Sequence, residues 1–178
     1  MDFKLDITLT DKDYFDYNVF WTLQSPYGKK RMIKYRAVIS LCIVFVALIS
    51  LYGGEFSRDA FGGIIPHGIL LVAFNLFLNR FFVWMLKGQL KKRGAGMYSS
   101  VSEMEFFENY FTETTLENKI EQKYSSVERI SIVKDKVIYI HANAMVAYIL
   151  PAACFASKEE YGEFLTFIKT KCARTDIY

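Results

Sequence analysis

Two long uncharged runs constrain this chain more than any other feature in it. Residues 37–52 read AVISLCIVFVALISLY, with no charge, and residues 64–86 read IIPHGILLVAFNLFLNRFFVWML, with Arg80 the single charge. A helix needs about 20 predominantly apolar residues to cross the hydrocarbon core of a bilayer. The second run reaches that length alone. The first reaches it when Tyr35 and Arg36 extend into the headgroup layer. Spans are therefore expected over about 36–53 and 64–86. Both lie well inside the chain and no small-residue cleavage site follows the first, so neither reads as a signal peptide. Hydrophobic residues make up 52% of the 178, and these two runs hold the excess.

The net charge is +3, but its distribution says more than its size. Lys29, Lys30, Arg31, Lys34 and Arg36 precede the first run, and Lys87, Lys91, Lys92 and Arg93 follow the second. The connection from Gly53 to Gly63 holds one basic residue, Arg58, beside Glu55 and Asp59. Basic residues stay on the cytoplasmic side of a membrane. The nine at the two outer ends then place both termini in the cytoplasm and face an anionic inner leaflet. Because anionic lipid accounts for them, they do not point to nucleic acid.

The flanking segments read as α+β. FKLDITLT (3–10) alternates apolar and polar residues at strand period. Thr10 or Asp11 caps a helix that carries Tyr14, Phe15, Val19 and Leu23 on one face, with Pro26 and Gly28 expected to end it. That helix either lies on the membrane surface or packs against the cytoplasmic domain. GQLKKRGAG (88–96) reads as a basic linker. Strands follow at 100–108, 110–116, 119–124, 131–134, 137–141 and 145–151, with SSVERI (125–130) as a loop and a tight turn at Asp135-Lys136. Ser157 caps a last helix, 157–172, with Glu160 completing a capping box and Tyr161, Phe164, Leu165 and Ile168 on its buried side. The expected layout is 1–36 cytoplasmic strand, helix and basic segment, 37–86 hairpin, 87–96 linker and 97–178 cytoplasmic domain. The domain is a curled antiparallel sheet plugged by the C-terminal helix.

Polar residues inside the second span are the candidate functional positions. Asn75 and Asn79 are four apart and share a helix face. Arg80 lies six residues inside Leu86, about 9 Å, within snorkelling reach of the headgroups; Ser40 is its candidate neighbour. Counting inward puts Asn75 near mid-membrane, opposite about Val46, which offers only backbone. Its amide needs a partner, either local, on the first span, or on another molecule. The remaining chemistry is sparse. Glu103, Glu105, Glu108, Glu113, Glu117 and Glu121 are scattered along strands and read as a solvated face. His67 and His141 fall on opposite sides of the membrane and read as surface or interface residues. Cys42, Cys154 and Cys172 have no paired spacing and read as structural thiols. No phosphate loop, metal cluster or catalytic triad motif is present in the sequence, so no cofactor and no catalysis are expected.

Four segments in order resemble the bacterial YcxB-like family. They are LTDKDYFDYN (9–18), the basic segment leading into a two-span hairpin, YSSVERISIVKDKVIYIH (124–141), and AYILPAACFASKEEYGEFLTFIK (147–169). Tyr124 stands where such proteins often carry tryptophan, and Ala152-Ala153 where they often carry a basic pair. The resemblance implies a pleckstrin-homology-like cytoplasmic domain, to which the strand 3–9 adds the seventh strand. It brings no enzymatic activity with it. The function expected is a membrane-anchored protein-interaction or scaffold module, with a protein partner or self-association. The alternative is a small oligomeric transport or channel-associated component.

Overall fold

A computed structural model describes residues 3–52, 59–93, 96, 100–143 and 146–178. It divides into two compact units: Met1–Tyr14 with Ala95–Tyr178, and Phe15–Gly94. In chain order the elements are β1 (Phe3–Leu9), α1 (Asp11–Val19), α2 (Pro26–Tyr52), α3 (Asp59–Arg93), β2 (Ser100–Phe106), β3 (Tyr110–Thr114), β4 (Lys119–Lys123), β5 (Arg129–Val133), β6 (Val137–His141), β7 (Ala147–Pro151), α4 (Lys158–Lys169) and β8 (Thr175–Ile177).

The helical unit is α2 packed on α3, preceded by a one-turn π-helix, Phe20–Gln24. Thr10 and Asp13 start α1 as a reciprocal cap. The Thr10 N–H donates to Asp13 Oδ2 (2.8 Å) and the Asp13 N–H to Thr10 Oγ1 (3.4 Å), satisfying two donors that a helix start leaves open. At 25–28 the expectation holds in part. The helical run does end at Gln24, with Ser25 extended before Pro26, but Pro26 at once opens the next helix, α2, and Gly28 lies inside it. Ser25 is 1% exposed and accepts the Gly28 N–H at 3.0 Å. Serine at the cap with proline in the first helical position is a start signal. Gly28 is needed for space, since a Cβ there would collide with the carbonyl oxygens of Trp21 and Thr22. α2 thus carries the basic segment and the apolar run as one 27-residue helix. The segment read as a linker is also helical as far as Arg93, because nothing in LKGQLKKR stops α3.

The other unit holds two four-stranded sheets, ordered β1-β2-β3-β4 and β7-β6-β5-β8. All pairings are antiparallel except β5–β8, which is parallel. β1 alternates strictly, with Phe3, Leu5, Ile7 and Leu9 buried. On its outer face Lys4 bridges Glu103 (2.8 Å) and Glu105 (3.5 Å) of β2. The register runs from Phe3↔Phe106 to Leu9↔Ser100, so the entire helical unit is inserted between two paired strands. The core joins Phe106, Phe111, Ile130, Ile138, Ile140 and Leu150, all fully buried. α4 adds Phe164, whose ring meets Phe106 (4.8 Å), Phe3 (5.2 Å) and Phe155 (5.2 Å). Ser157 accepts the Glu160 N–H (3.1 Å), as expected of the cap, while Glu160 accepts the N–H of Ala156 (2.6 Å), one residue before the cap, rather than that of Ser157. The β5–β6 turn places Asp135 at φ 56°, a conformation that aspartate tolerates better than most residues. β8 was not expected: TDI is too short to carry a period, and it is placed by pairing with β5.

Candidate functional site

In the hairpin, polar residues form a seam. Arg36 Nη2 donates to Asn79 Oδ1 (3.1 Å). One turn further along α2, Ser40 Oγ accepts from Asn75 Nδ2 (3.2 Å), which also donates to the Leu71 carbonyl (2.9 Å). Tyr35 and Phe82 stack at 5.8 Å with planes 9° apart. These three contacts fix the register of the two antiparallel helices. Stepping along it at 1.5 Å per residue, α2 37–52 lies level with about 63–78 of α3, a shared charge-free length of about 24 Å.

That register sets which residues of the two helices lie level with each other. Counting from Leu86 treats FFVWML (81–86) as buried apolar length. These residues lie about level with 29–34, the basic stretch. Arg80 therefore sits level with Tyr35 and Arg36, at the boundary of the charge-free length. Its guanidinium lies 5.9 Å from the Phe77 ring. Ser40 faces Asn75 and not Arg80, and it is Ser40, not Val46, that Asn75 meets. The Asn75 amide is one helical turn, about 6 Å, inside the Arg36 level. Lys29, Lys30, Arg31, Lys34, Lys87, Lys91 and Lys92 are exposed and Arg36 is half-buried. Arg93 ends α3, with its side chain outside the described residues.

The α+β unit holds two further polar groupings that the sequence reading missed. Along β5 and β6, Ile130, Ile132, Ile138 and Ile140 fill one face. The opposite face carries Arg129, Ser131 and His141, exposed by only 2%, 0% and 2%. Arg129 Nε lies 3.3 Å from Asp176 Oδ2 of β8, and His141 Nε2 lies 3.2 Å from Ser131 Oγ. Burial, and then the Arg129 charge, hold the His141 pKa down to about 4, because both penalise imidazolium. His141 is thus a buried neutral side chain, not a surface one. Alternation in RISIV and VIYIH shows two faces but cannot show that the polar one is buried, or that β8 pairs beside β5 and brings Asp176 to Arg129.

The second grouping is a cleft of about 210 Å³ at the mouth between the sheets. Glu103 and Glu105 lie on the outer face with Lys4. Glu113 does not join them. It pairs in register with the buried Met104 and lies two residues from the fully buried Phe111, so it faces inward. Desolvation raises the Glu113 pKa, opposed by a hydrogen bond from Ser102. The spacing Phe111-x-Glu113 was the available signal, since residues two apart on a strand share a face.

Among the described residues no three His, Cys, Asp or Glu side chains converge as metal ligands. The cysteines are free; burial pushes the Cys154 thiol up to about 12, which leaves it protonated and inert. The chain matches no protein-family model, no curated protein and no solved structure. Two of its helices, Pro26–Ser50 and Ile64–Lys92, are long and apolar enough to cross a membrane, with only 11% and 6% of their apolar windows buried within the protein.

Proposed function

We propose that this chain is a membrane-anchored interaction module of a bacterial cell, without catalysis of its own. The hairpin α2–α3 crosses the cytoplasmic membrane twice and leaves both termini inside. The α+β unit recognises a protein partner. The observation that carries the reading is the pairing of β1 with β2 across the whole helical insertion. One sheet built from both flanks of the hairpin requires both flanks on the same side of the membrane, hence an even number of crossings. Basic residues at both outer ends make that side the cytoplasm. A mostly unburied apolar surface on two long helices favours lipid over a soluble core. Asn75 and Asn79 engage Ser40 and Arg36 in the same hairpin, which favours an anchor over a transport path.

Strands β1–β7 in groups of four and three, followed by α4, support a pleckstrin-like domain closed by its C-terminal helix, as the resemblance to the YcxB-like family implies. β8 is an addition to that pattern. The basic residues at 29–36 and 87–93 serve the anionic leaflet. Crosslinking in intact cells tests the assignment of roles, comparing the full chain with a variant whose 37–86 hairpin is replaced by an unrelated two-span hairpin. The same crosslinked partner is expected with both. Its loss on replacement, at equal protein level, would move recognition into the bilayer.

A further inference from the structure

We propose that the mouth between the two sheets binds a small primary ammonium compound with a short apolar stem, with Glu113 as its counter-ion. The inference stands on the α+β unit alone and goes beyond the anchor reading. The cleft holds about 210 Å³, less than the roughly 300–1,000 Å³ of a drug-sized pocket. Its floor is apolar core: Ile7, Met104 and Ile149 are at most 5% exposed. Ser102 and Tyr148 bring hydroxyls to its wall, and Glu113 is the one charged residue among those that line it.

An inward carboxylate calls for a reason. Inward charges can guard a sheet edge against pairing with other chains, but β3 lies between β2 and β4 and has no open edge. Burial works against the ionised form, and Ser102 offsets it only in part. An opposite charge entering the cleft would favour the carboxylate and restore what desolvation removes. A carboxylate is an acceptor with two oxygens and about four lone-pair sites, of which one Ser102 hydroxyl occupies one. The remaining capacity suits a compact ammonium. A planar guanidinium seeks both oxygens side by side. The apolar floor beneath takes an alkyl stem, which an inorganic cation would leave unused.

The probe is n-butylammonium, titrated into the full chain in detergent micelles with ¹³C-labelled methionine methyls. Met104 forms the floor, and its resonance reports both occupancy and the integrity of the sheet. A saturable shift at Met104 is expected with n-butylammonium and none with butyrate. Glu113→Gln should weaken binding by about tenfold or more, the scale of one lost charge-assisted hydrogen bond. Glu121→Gln, on the exposed face of β4, should leave it unchanged. Ser100→Trp, placed at the exposed rim, should block it by filling the cleft without touching the carboxylate. The proposal is overturned if no saturable shift occurs, if butyrate acts equally, or if Glu113→Gln and Ser100→Trp bind as well as the parent. An equal shift at Met32 in α2 would mark simple partition into the micelle and would also overturn it.

Discussion

A fragment comprising residues 97–178, the cytoplasmic domain as the sequence delimits it, is expected not to fold. Residues 1–9 joined by a short turn to 100–178 are expected to fold. β1 contributes Phe3, Leu5, Ile7 and Leu9, which are 6%, 2%, 1% and 9% exposed. Burying a large apolar side chain contributes about 1.5–3 kcal/mol, so the strand brings roughly 6–12 kcal/mol as an upper bound. That equals the whole stability of an ordinary domain, about 5–15 kcal/mol. Its loss also opens the β2 edge and exposes Phe106 and Phe164, which pack with Phe3 or beside it. Restoring it is simple because Leu9 and Ser100 are partners across the ladder, about 5 Å apart. An Asn-Gly turn can join them in place of residues 10–99. Circular dichroism and amide dispersion should show a cooperative monomer for the joined chain and an unfolded or aggregated fragment without β1. If the fragment folds as well as the joined chain, the topology is wrong.

Acidification is expected to weaken the α+β unit through His141. Its folded pKa of about 4 lies below the ordinary value of 6.5. Between those values the unfolded chain binds a proton that the folded unit refuses, so stability rises with pH. The contribution is complete above about pH 7 and is lost as pH falls toward 4. It amounts to about 2 kcal/mol by pH 5 and on the order of 3 kcal/mol by pH 4. Arg129 deepens the depression, while Glu128 and Asp176 oppose it. Hydrogen exchange of the β5 and β6 amides in the full chain should show this pH dependence. It should be reduced by that amount in His141→Gln, which keeps a polar partner for Ser131. An unchanged pH dependence in the variant would mean that His141 already titrates as an exposed side chain.

Both expectations fall where the sequence was legible in part. The alternation of FKLDITL places it on a sheet with one face buried, and the residues themselves say so. The helix caps at Thr10 and Ser157 and the turn at Asp135 are equally local, and these were readable. What escaped depends on pairing over distance. Pro26 reads correctly as a stop for the preceding helix, but that it also opens the next one shows only when Ser25 is seen as its cap. The apolar run at 64–86 invites a count inward from Leu86. The offset between the helices appears only when Tyr35 meets Phe82 and Arg36 meets Asn79. Glu113 looks like one more surface acid among six until Phe111 fixes its face. Arg129 looks exposed because the strand that brings Asp176 to it, at 175–177, is three residues long, and nothing local marks the face it shares with His141 as buried.

The account rests on a hairpin that crosses the membrane twice with both flanks inside. Single cysteines test it directly, in a background with Cys42, Cys154 and Cys172 replaced. One goes at Ser57, in the connection between the helices, and one at Leu116, fully exposed in the turn between β3 and β4. A membrane-impermeant maleimide is then applied to intact spheroplasts and to lysed ones. The prediction is that Ser57→Cys is labelled in intact spheroplasts and Leu116→Cys only after lysis. Labelling of Leu116→Cys in intact spheroplasts, or protection of both positions until lysis, would contradict it.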